Sequence, residues 1–187
     1  VFTKDGKTAY VSNGGDATIS VIDVKNRKVA KTIPNIGKGA MGLVMSADGA
    51  TVLVTGGGEN KYTLVETATG KILIDVVSGK EAHGAVLTPD GKFALVPNRQ
   101  SGDVSVVDIA TGKIVDTIAN VGDKSDIIDI SPDGKRAFVT LRGKAVTGDP
   151  AMTTGKEPGV SVIDVPGRKV VTKVSLDGDP HGVAVRP

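Results

Sequence analysis

The chain contains two histidines, His83 and His181, and no cysteine among its 187 residues. Histidine is the commonest metal ligand among side chains and the one that changes charge near neutral pH. The lack of cysteine excludes disulfides, thiolate metal sites, Fe–S clusters and cysteine nucleophiles. The chemistry open to this chain therefore depends on what stands beside its two histidines.

A repeat fixes the positions of the histidines. Asp-Gly pairs recur at spacings of 43, 42 and 43 residues, and a hydrophobic pair begins five residues after each aspartate. His83 lies seven residues before the third aspartate, and the same offset in the neighbouring repeats gives Met41 and Asp126. His181 takes the corresponding place after the fourth repeat. The aspartates of the four pairs are Asp5, Asp48, Asp90 and Asp133.

One structural position therefore carries a donor set of methionine, histidine, aspartate and histidine. Such a set suits a transition metal such as copper or iron. The candidate metal ligands are Met41, His83, Asp126 and His181. A structural alternative stays open, because a histidine at the start of a strand can simply bond to loop backbone and close the preceding turn. Neighbouring repeats can also hold these side chains too far apart to share one ion.

Each repeat has the pattern of four short strands separated by turns. Hydrophobic and polar residues alternate with period two, Pro-Asp-Gly and Ala-Thr-Gly-Lys supply turn chemistry, and no window shows helical periodicity. A period of 42–43 residues with four strands predicts an all-β fold, a β-propeller of four-stranded antiparallel blades. The step from turn aspartate to the acid ending the third strand is 18 residues in three repeats and 31 in the fourth, which places a 13-residue insertion within Leu141–Gly159.

The repeats together predict a single propeller domain or fragment that covers residues 1–187. They fall at residues 1–40, 41–82, 83–125 and 126–180, and residues 181–187 begin a further blade. Both ends of the chain lie in the same type of strand, so we expect about four blades of a longer propeller. The alternative is a four-bladed ring closed by pairing the C-terminal strand with the first blade.

Antiparallel order places the short, uniform turns at one end of the blades and the variable connections at the other. The variable end carries the insertion and the His83 position, which opens the innermost strand at the mouth of the central channel. Binding residues usually lie on such variable loops. We expect ligand or partner contacts on this channel-mouth face from Asn13, Asn98, Arg99, Arg142 and Met152.

Several stretches resemble the YVTN-repeat β-propellers, a family of bacterial and archaeal extracytoplasmic proteins. They are SPDGKRAFVT, TPDGKFALVPN, VSVIDV and GDPHGVAV, while the tetrapeptides at the YVTN position read YVSN, LVTG, LVPN and FVTL. The resemblance covers essentially the whole chain. It implies a periplasmic or secreted location, typically seven blades, and a scaffold shared without one shared activity. In the wider class, related propellers bind haem, accompany quinone enzymes or act as metal-dependent lactonases.

Composition limits the function further. The net charge of +2 and an aromatic content of 3% argue against a nucleic-acid partner. No apolar run approaches the length of about 20 residues that a helix needs to span a bilayer. No nucleophile, base and orienting group come together in the repeat register, which favours a protein that is not an enzyme. The recurring acids are interpreted as turn or packing residues: Asp23, Glu66, Asp108 and Asp164.

The sequence thus favours a non-enzymatic scaffold or binding module that presents loops to a protein or small-molecule ligand. The first alternative is a redox propeller that holds copper, iron or haem through the channel-mouth His, Met and Asp side chains. A metal-dependent hydrolase or lactonase has less support. Asp126 is the one carboxylate at the repeated position, although Glu81 and Asp179 lie nearby.

Overall fold

The computed structural model describes residues 1–143 and 155–186, and within them fifteen strands form four antiparallel sheets. The first sheet contains β1 (Thr8–Asn13), β2 (Thr18–Asp23) and β3 (Lys28–Ile33). The second contains β4 (Ala40–Met45), β5 (Thr51–Gly56), β6 (Lys61–Glu66) and β7 (Ile72–Val77). The third contains β8 (Val86–Leu87), β9 (Phe93–Asn98), β10 (Asp103–Asp108) and β11 (Lys113–Ile118). The fourth contains β12 (Ser125–Ile130), β13 (Arg136–Leu141), β14 (Gly159–Asp164) and β15 (Lys169–Ser175).

In every sheet the spatial order of the strands equals their order in the chain. Neighbouring sheets meet through their first strands, since β1 contacts β4, β4 contacts β8, and β12 contacts β8 and β9. The first sheet has three strands, and a bridge from Phe2 to Ala9 marks the place of a fourth. These sheets are the blades of a β-propeller, so the predicted fold class is confirmed. We number the blades one to four in chain order.

The hydrophobic core lies between neighbouring blades, and blades two and three pack on both of their faces. Along β5, Val52 and Val54 pack toward blade one with Tyr10, while Leu53 packs toward blade three with Val96. All five side chains are at most 5% exposed. Alternate residues of one strand therefore belong to different interfaces, which is the physical origin of the period-two pattern.

The two ends of the blades differ. The turn end carries the Asp-Gly turns, where Asp90 Oδ1 accepts bonds from Thr88 Oγ1 at 2.6 Å and from the Lys92 amide at 3.1 Å. Gly91 adopts a φ of 69°, a left-handed conformation that glycine accepts without steric cost. The same aspartate contacts recur in the other blades, at Asp5, Asp48 and Asp133.

The acids that end the third strand of each blade have structural partners as well. Asp108 accepts a bond from the Thr111 amide at 2.8 Å, and Asp23 accepts one from the Asn26 amide at 2.9 Å. Glu66 accepts from the Thr69 hydroxyl, and Asp164 accepts from Arg136 at 2.9 Å. The interpretation of these four acids as structural is confirmed.

The opposite end, here called the loop end, carries the hairpins that follow β1, β5, β9 and β13 and the connections into β4, β8 and β12. Most of the predicted insertion lies outside the described residues. The described residues 181–186 form no strand, and the number of blades in the whole ring stays a prediction. Within residues 1–143 and 155–186, no helix has the length and apolar character to cross a membrane.

Candidate functional site

The repeated His83 position joins neighbouring blades at the loop end. The Gly42 amide donates to the His83 carbonyl at 2.9 Å, and the Gly84 amide donates to the Asp126 carbonyl at 3.1 Å. A Cβ atom on Gly42 would lie 2.4 Å from the His83 carbonyl oxygen. Glycine after Met41 and after His83 is therefore what lets the inner strands approach. The structure confirms that the positions of Met41, His83 and Asp126 are equivalent neighbours.

Hydroxyl groups on the preceding blade hold the same position. Ser12 Oγ donates to the Met41 carbonyl at 2.7 Å, and Thr55 Oγ1 donates to the His83 carbonyl. Blade three has Pro97 at the equivalent place, and its carbonyl instead accepts a bond from the His83 amide at 2.9 Å. These contacts fix the backbone from which the site side chains project.

Asp126 is the centre of the site, and its side chain is fully buried. Arg142 Nη1 donates a hydrogen bond to Oδ2 at 3.4 Å, and His181 Nδ1 lies 3.5 Å from the same oxygen. His83 Nδ1 lies 2.9 Å and Arg99 Nε lies 3.3 Å from Oδ1, at angles that do not make hydrogen bonds. One carboxylate thus contacts two guanidinium groups and two imidazoles from different segments of the chain.

Two further carboxylates neutralise the arginines. Arg99 Nη1 donates to Glu81 Oε1 at 3.0 Å. Arg142 binds Asp179 in bidentate fashion, with Nε–Oδ1 and Nη2–Oδ2 distances both 2.6 Å, and the Gly143 amide donates to Oδ1 at 2.9 Å. We call these residues the Asp126 cluster: Glu81, His83, Arg99, Asp126, Arg142, Asp179 and His181.

The cluster lowers the pKa of two of its carboxyl groups. Burial alone would raise the pKa of Asp126, but His83, Arg99 and Arg142 together outweigh burial and lower the pKa below its ordinary value. The pKa of Asp179 is lowered chiefly by its bonds to Arg142. Three carboxylates face two guanidinium groups, so the cluster carries one excess negative charge before the histidines are counted.

A pocket of ≈ 440 Å³ opens beside this cluster at the loop end. Met41, Glu81, His83, Arg99 and Gln100 are among the residues that line it. Several buried atoms here have no hydrogen-bond partner: Glu81 Oε2, His83 Nδ1, Arg99 Nε and Asp126 Oδ1. Buried polar groups without partners are costly in a folded protein, and a bound ligand can satisfy them.

The sequence-predicted site residues separate into groups. His83, Asp126, His181, Arg99 and Arg142 come together in the Asp126 cluster. Met41 is 47% exposed and borders the pocket beside His83. The predicted ring of four metal ligands stays a prediction. Among the described residues, no three His, Asp or Glu side chains are arranged to hold a metal ion.

The two predicted asparagines contact their own blades. Asn98 Nδ2 donates to Asp103 Oδ1 at 2.5 Å and to Ser105 Oγ at 2.9 Å. Asn13 Nδ2 makes the equivalent bonds to Thr18 and Ser20. These bonds tie each hairpin together, and a ligand contact by either asparagine stays a prediction. Met152 lies outside the described residues.

Sequence reasoning did not assign Glu81 and Asp179 to the site, although a charge pattern marks them. Each lies two residues before a histidine, and each binds an arginine nine residues after a turn aspartate. Opposite charges that recur at fixed places of a repeat could have identified both pairs. What the repeat does not encode is the choice of connection, since Arg99 binds a carboxylate in the connection before its blade and Arg142 binds one in the connection after its blade.

Blade order, inter-blade packing and repeated turns together define the class of this protein as a β-propeller. The sequence model of the YNCE-like beta-propeller family matches residues 79–186, more than half of the chain, and the protein therefore belongs to this family. No curated protein matches it.

A solved structure has a similar fold over most of the chain. Hydrazine synthase of Kuenenia stuttgartiensis matches with a TM-score of 0.82 and 21% sequence identity. The match covers 94% of this chain and 47% of that chain, so the present protein spans about half the length of its structural neighbour. At this level of identity the likeness shows the fold.

Proposed function

We propose that this protein is a non-enzymatic binding module that holds a protein or small-molecule ligand at its loop end, which corresponds to the predicted channel-mouth face. The observation that carries the proposal is the Asp126 cluster beside an open pocket. Its deeply buried ionised carboxylate and its unpaired polar atoms have no counterpart in the regular Asp-Gly turns. The YVTN-like stretches favour a place among extracytoplasmic YVTN-repeat propellers, and cell fractionation checks that location.

The turn end supports the proposal by contrast. Two grooves of ≈ 380 and ≈ 760 Å³ lie between blades there, and apolar side chains such as Phe93, Leu95 and Leu64 line them. The carboxylates at their rims are exposed or half-buried and already bond their own turns, as Asp90 does. These grooves follow from blade geometry, whereas the cluster at the loop end needs particular residues in particular blades.

The cluster is better suited to binding than to catalysis. General acid–base work usually needs a titratable group with a pKa near the working pH, whereas the pKa of Asp126 is lowered and two arginines contact its carboxylate. A metal-dependent hydrolase needs several free carboxylate or histidine ligands around one ion. The cluster instead uses its carboxylates to bind arginines.

Site-specific photo-crosslinking tests this function. A photoreactive amino acid replaces Gln100, which is exposed at the rim of the pocket, in protein expressed in the source organism. The matched control places the same group at Lys92, which is exposed at the turn end of the same blade. We expect a discrete adduct from position 100 that is absent from position 92. Equal labelling from both positions, or none from position 100, would overturn the proposal.

A further inference from the structure

We propose that the loop-end pocket binds one transition-metal ion of the copper class through Met41, Glu81 and His83. The inference rests on the proposed function, because both place ligand binding at the loop end. It differs from the predicted ring of four ligands, since Asp126 supports a ligand here and does not bind the ion itself.

The backbone brings the three donors to one pocket. Met41 and His83 occupy equivalent positions in adjacent blades, and the Gly42–His83 hydrogen bond of 2.9 Å holds these positions side by side. Glu81 precedes His83 by two residues, and all three side chains line the same pocket. Met41 is 47% exposed, and its flexible thioether side chain can turn toward the pocket without disturbing the core.

Glu81 has one oxygen available to an ion. Arg99 Nη1 binds Oε1 at 3.0 Å and fixes the carboxylate, while Oε2 is buried and has no hydrogen-bond partner. An unpaired buried carboxylate oxygen at the edge of a pocket is a site for a cation.

Asp126 gives His83 the orientation that metal-binding histidines commonly have. Its Oδ1 lies 2.9 Å from His83 Nδ1 without making a hydrogen bond, so the carboxylate faces Nδ1 and leaves Nε2 as the nitrogen that can bind an ion. His83 is 5% exposed, so the ring has little freedom to turn away. A carboxylate next to the second ring nitrogen is a common neighbour of metal-binding histidines.

Charge and donor type select the class of ligand. The Asp126 cluster carries one excess negative charge before the histidines are counted, which favours a cation and opposes an anion. A thioether, an imidazole and a carboxylate together suit copper better than magnesium or calcium, which prefer oxygen donors alone. The described residues offer no set of three His, Cys, Asp or Glu donors, and the proposed site takes its third donor from the Met41 sulfur.

The experiment measures copper binding to the tag-free, full-length chain. Cu²⁺ is titrated calorimetrically, and the bound Cu²⁺ is examined by electron paramagnetic resonance for nitrogen splitting. We expect one ion per chain with a nitrogen ligand. His83→Gln should weaken binding at least tenfold and remove the nitrogen splitting, and Met41→Leu should weaken the binding of Cu⁺, measured by competition with a chromophoric chelator.

Matched variants control for adventitious binding. Asp16→Asn removes an exposed carboxylate at the loop end that does not line the pocket, and Met45→Leu removes a methionine that lies in β4 and packs against the core. Both should stay within about twofold of the parent affinity. Asp126→Asn should weaken Cu²⁺ binding about 10- to 100-fold if it folds, as loss of a carboxylate behind a ligating histidine does.

Two results would overturn the metal site. One is the absence of stoichiometric copper binding, and the other is a His83→Gln variant that binds copper as tightly as the parent protein. A discrete crosslink from position 100 together with either result would leave the binding-module proposal standing. Copper binding without any crosslink from position 100 would support the metal site and contradict the proposal that a further ligand or partner binds at the loop end.

Discussion

At the scale of single residues, Asp126 holds the candidate site together, because its carboxylate contacts Arg99, Arg142 and both histidines. His83, Asp126 and His181 share a repeat position, and the repeat therefore predicted that they lie together. Their contacts depend on Arg99 and Arg142, which the sequence indicated only as loop contacts. Side-chain direction decides whether a carboxylate binds a metal or an arginine, and the spacing of a repeat does not determine it.

Replacing Asp126 with asparagine tests how much this residue contributes to the stability of the fold. Asp126→Asn leaves two arginines and two histidines around a neutral amide, so the free energy of unfolding should fall by about 3–5 kcal/mol. Urea unfolding at pH 7 measures the change. Asp16→Asn, at an exposed loop-end position, should change the free energy of unfolding by less than about 0.5 kcal/mol.

The dependence of that loss on pH provides a second measurement. The pKa of Asp126 is lowered in the folded protein, so its contribution is complete above the unfolded pKa of about 3.9 and disappears as pH falls through the folded value. The stabilities of the parent and Asp126→Asn proteins should therefore differ at pH 7 and converge below about pH 4. A difference that stays constant with pH would contradict the role given to this carboxylate.

At the scale of strands and turns, prediction succeeded because each element has a local cause. Alternating hydrophobic residues and Asp-Gly turns specify the hairpins without reference to the rest of the molecule. The glycines after Met41 and His83 are needed because the inner strand of the next blade lies close to them. The sequence of one repeat cannot reveal that contact. The hydroxyls of Ser12 and Thr55 likewise act on the carbonyl of the next blade.

The close approach of inner strands predicts the effect of a single methyl group. A Cβ atom on Gly84 would lie 2.7 Å from the Asp126 carbonyl oxygen, so Gly84→Ala must push blades three and four apart. We expect the free energy of unfolding to fall by about 1–3 kcal/mol, as overpacking commonly causes.

Gly15→Ala is the control for this substitution, because a Cβ atom there would meet nothing within 4 Å. Chemical unfolding of both variants supplies the comparison. Equal stability of the two variants would show that the inner strands can separate without cost.

At the scale of the whole molecule, stability comes from the interfaces between neighbouring blades. Blades two and three are joined by the cluster that contains Leu53 and Val96, and by Tyr62, whose hydroxyl donates to the Gly112 carbonyl at 2.7 Å. Burial raises the pKa of Tyr62 to about 12. The sequence predicted stacked blades, because one four-stranded sheet cannot bury both of its faces alone. Which residues meet across each interface depends on the angle between blades, which no single repeat contains.

Such an architecture predicts that the destabilisation caused by a core substitution extends to the neighbouring blade and decreases with distance. Leu95 is 1% exposed and packs with Val139 and Ile163 between blades three and four. Leu95→Ala should lower the free energy of unfolding by about 2–5 kcal/mol. Hydrogen exchange should then accelerate in both of these blades and change least in blade one, because each repeat is stabilised chiefly by its neighbours.

Val115→Ala, on the exposed face of β11, should leave the exchange of blade four unchanged. Faster exchange confined to blade three, or uniform across all four blades, would contradict stabilisation by nearest-neighbour interfaces.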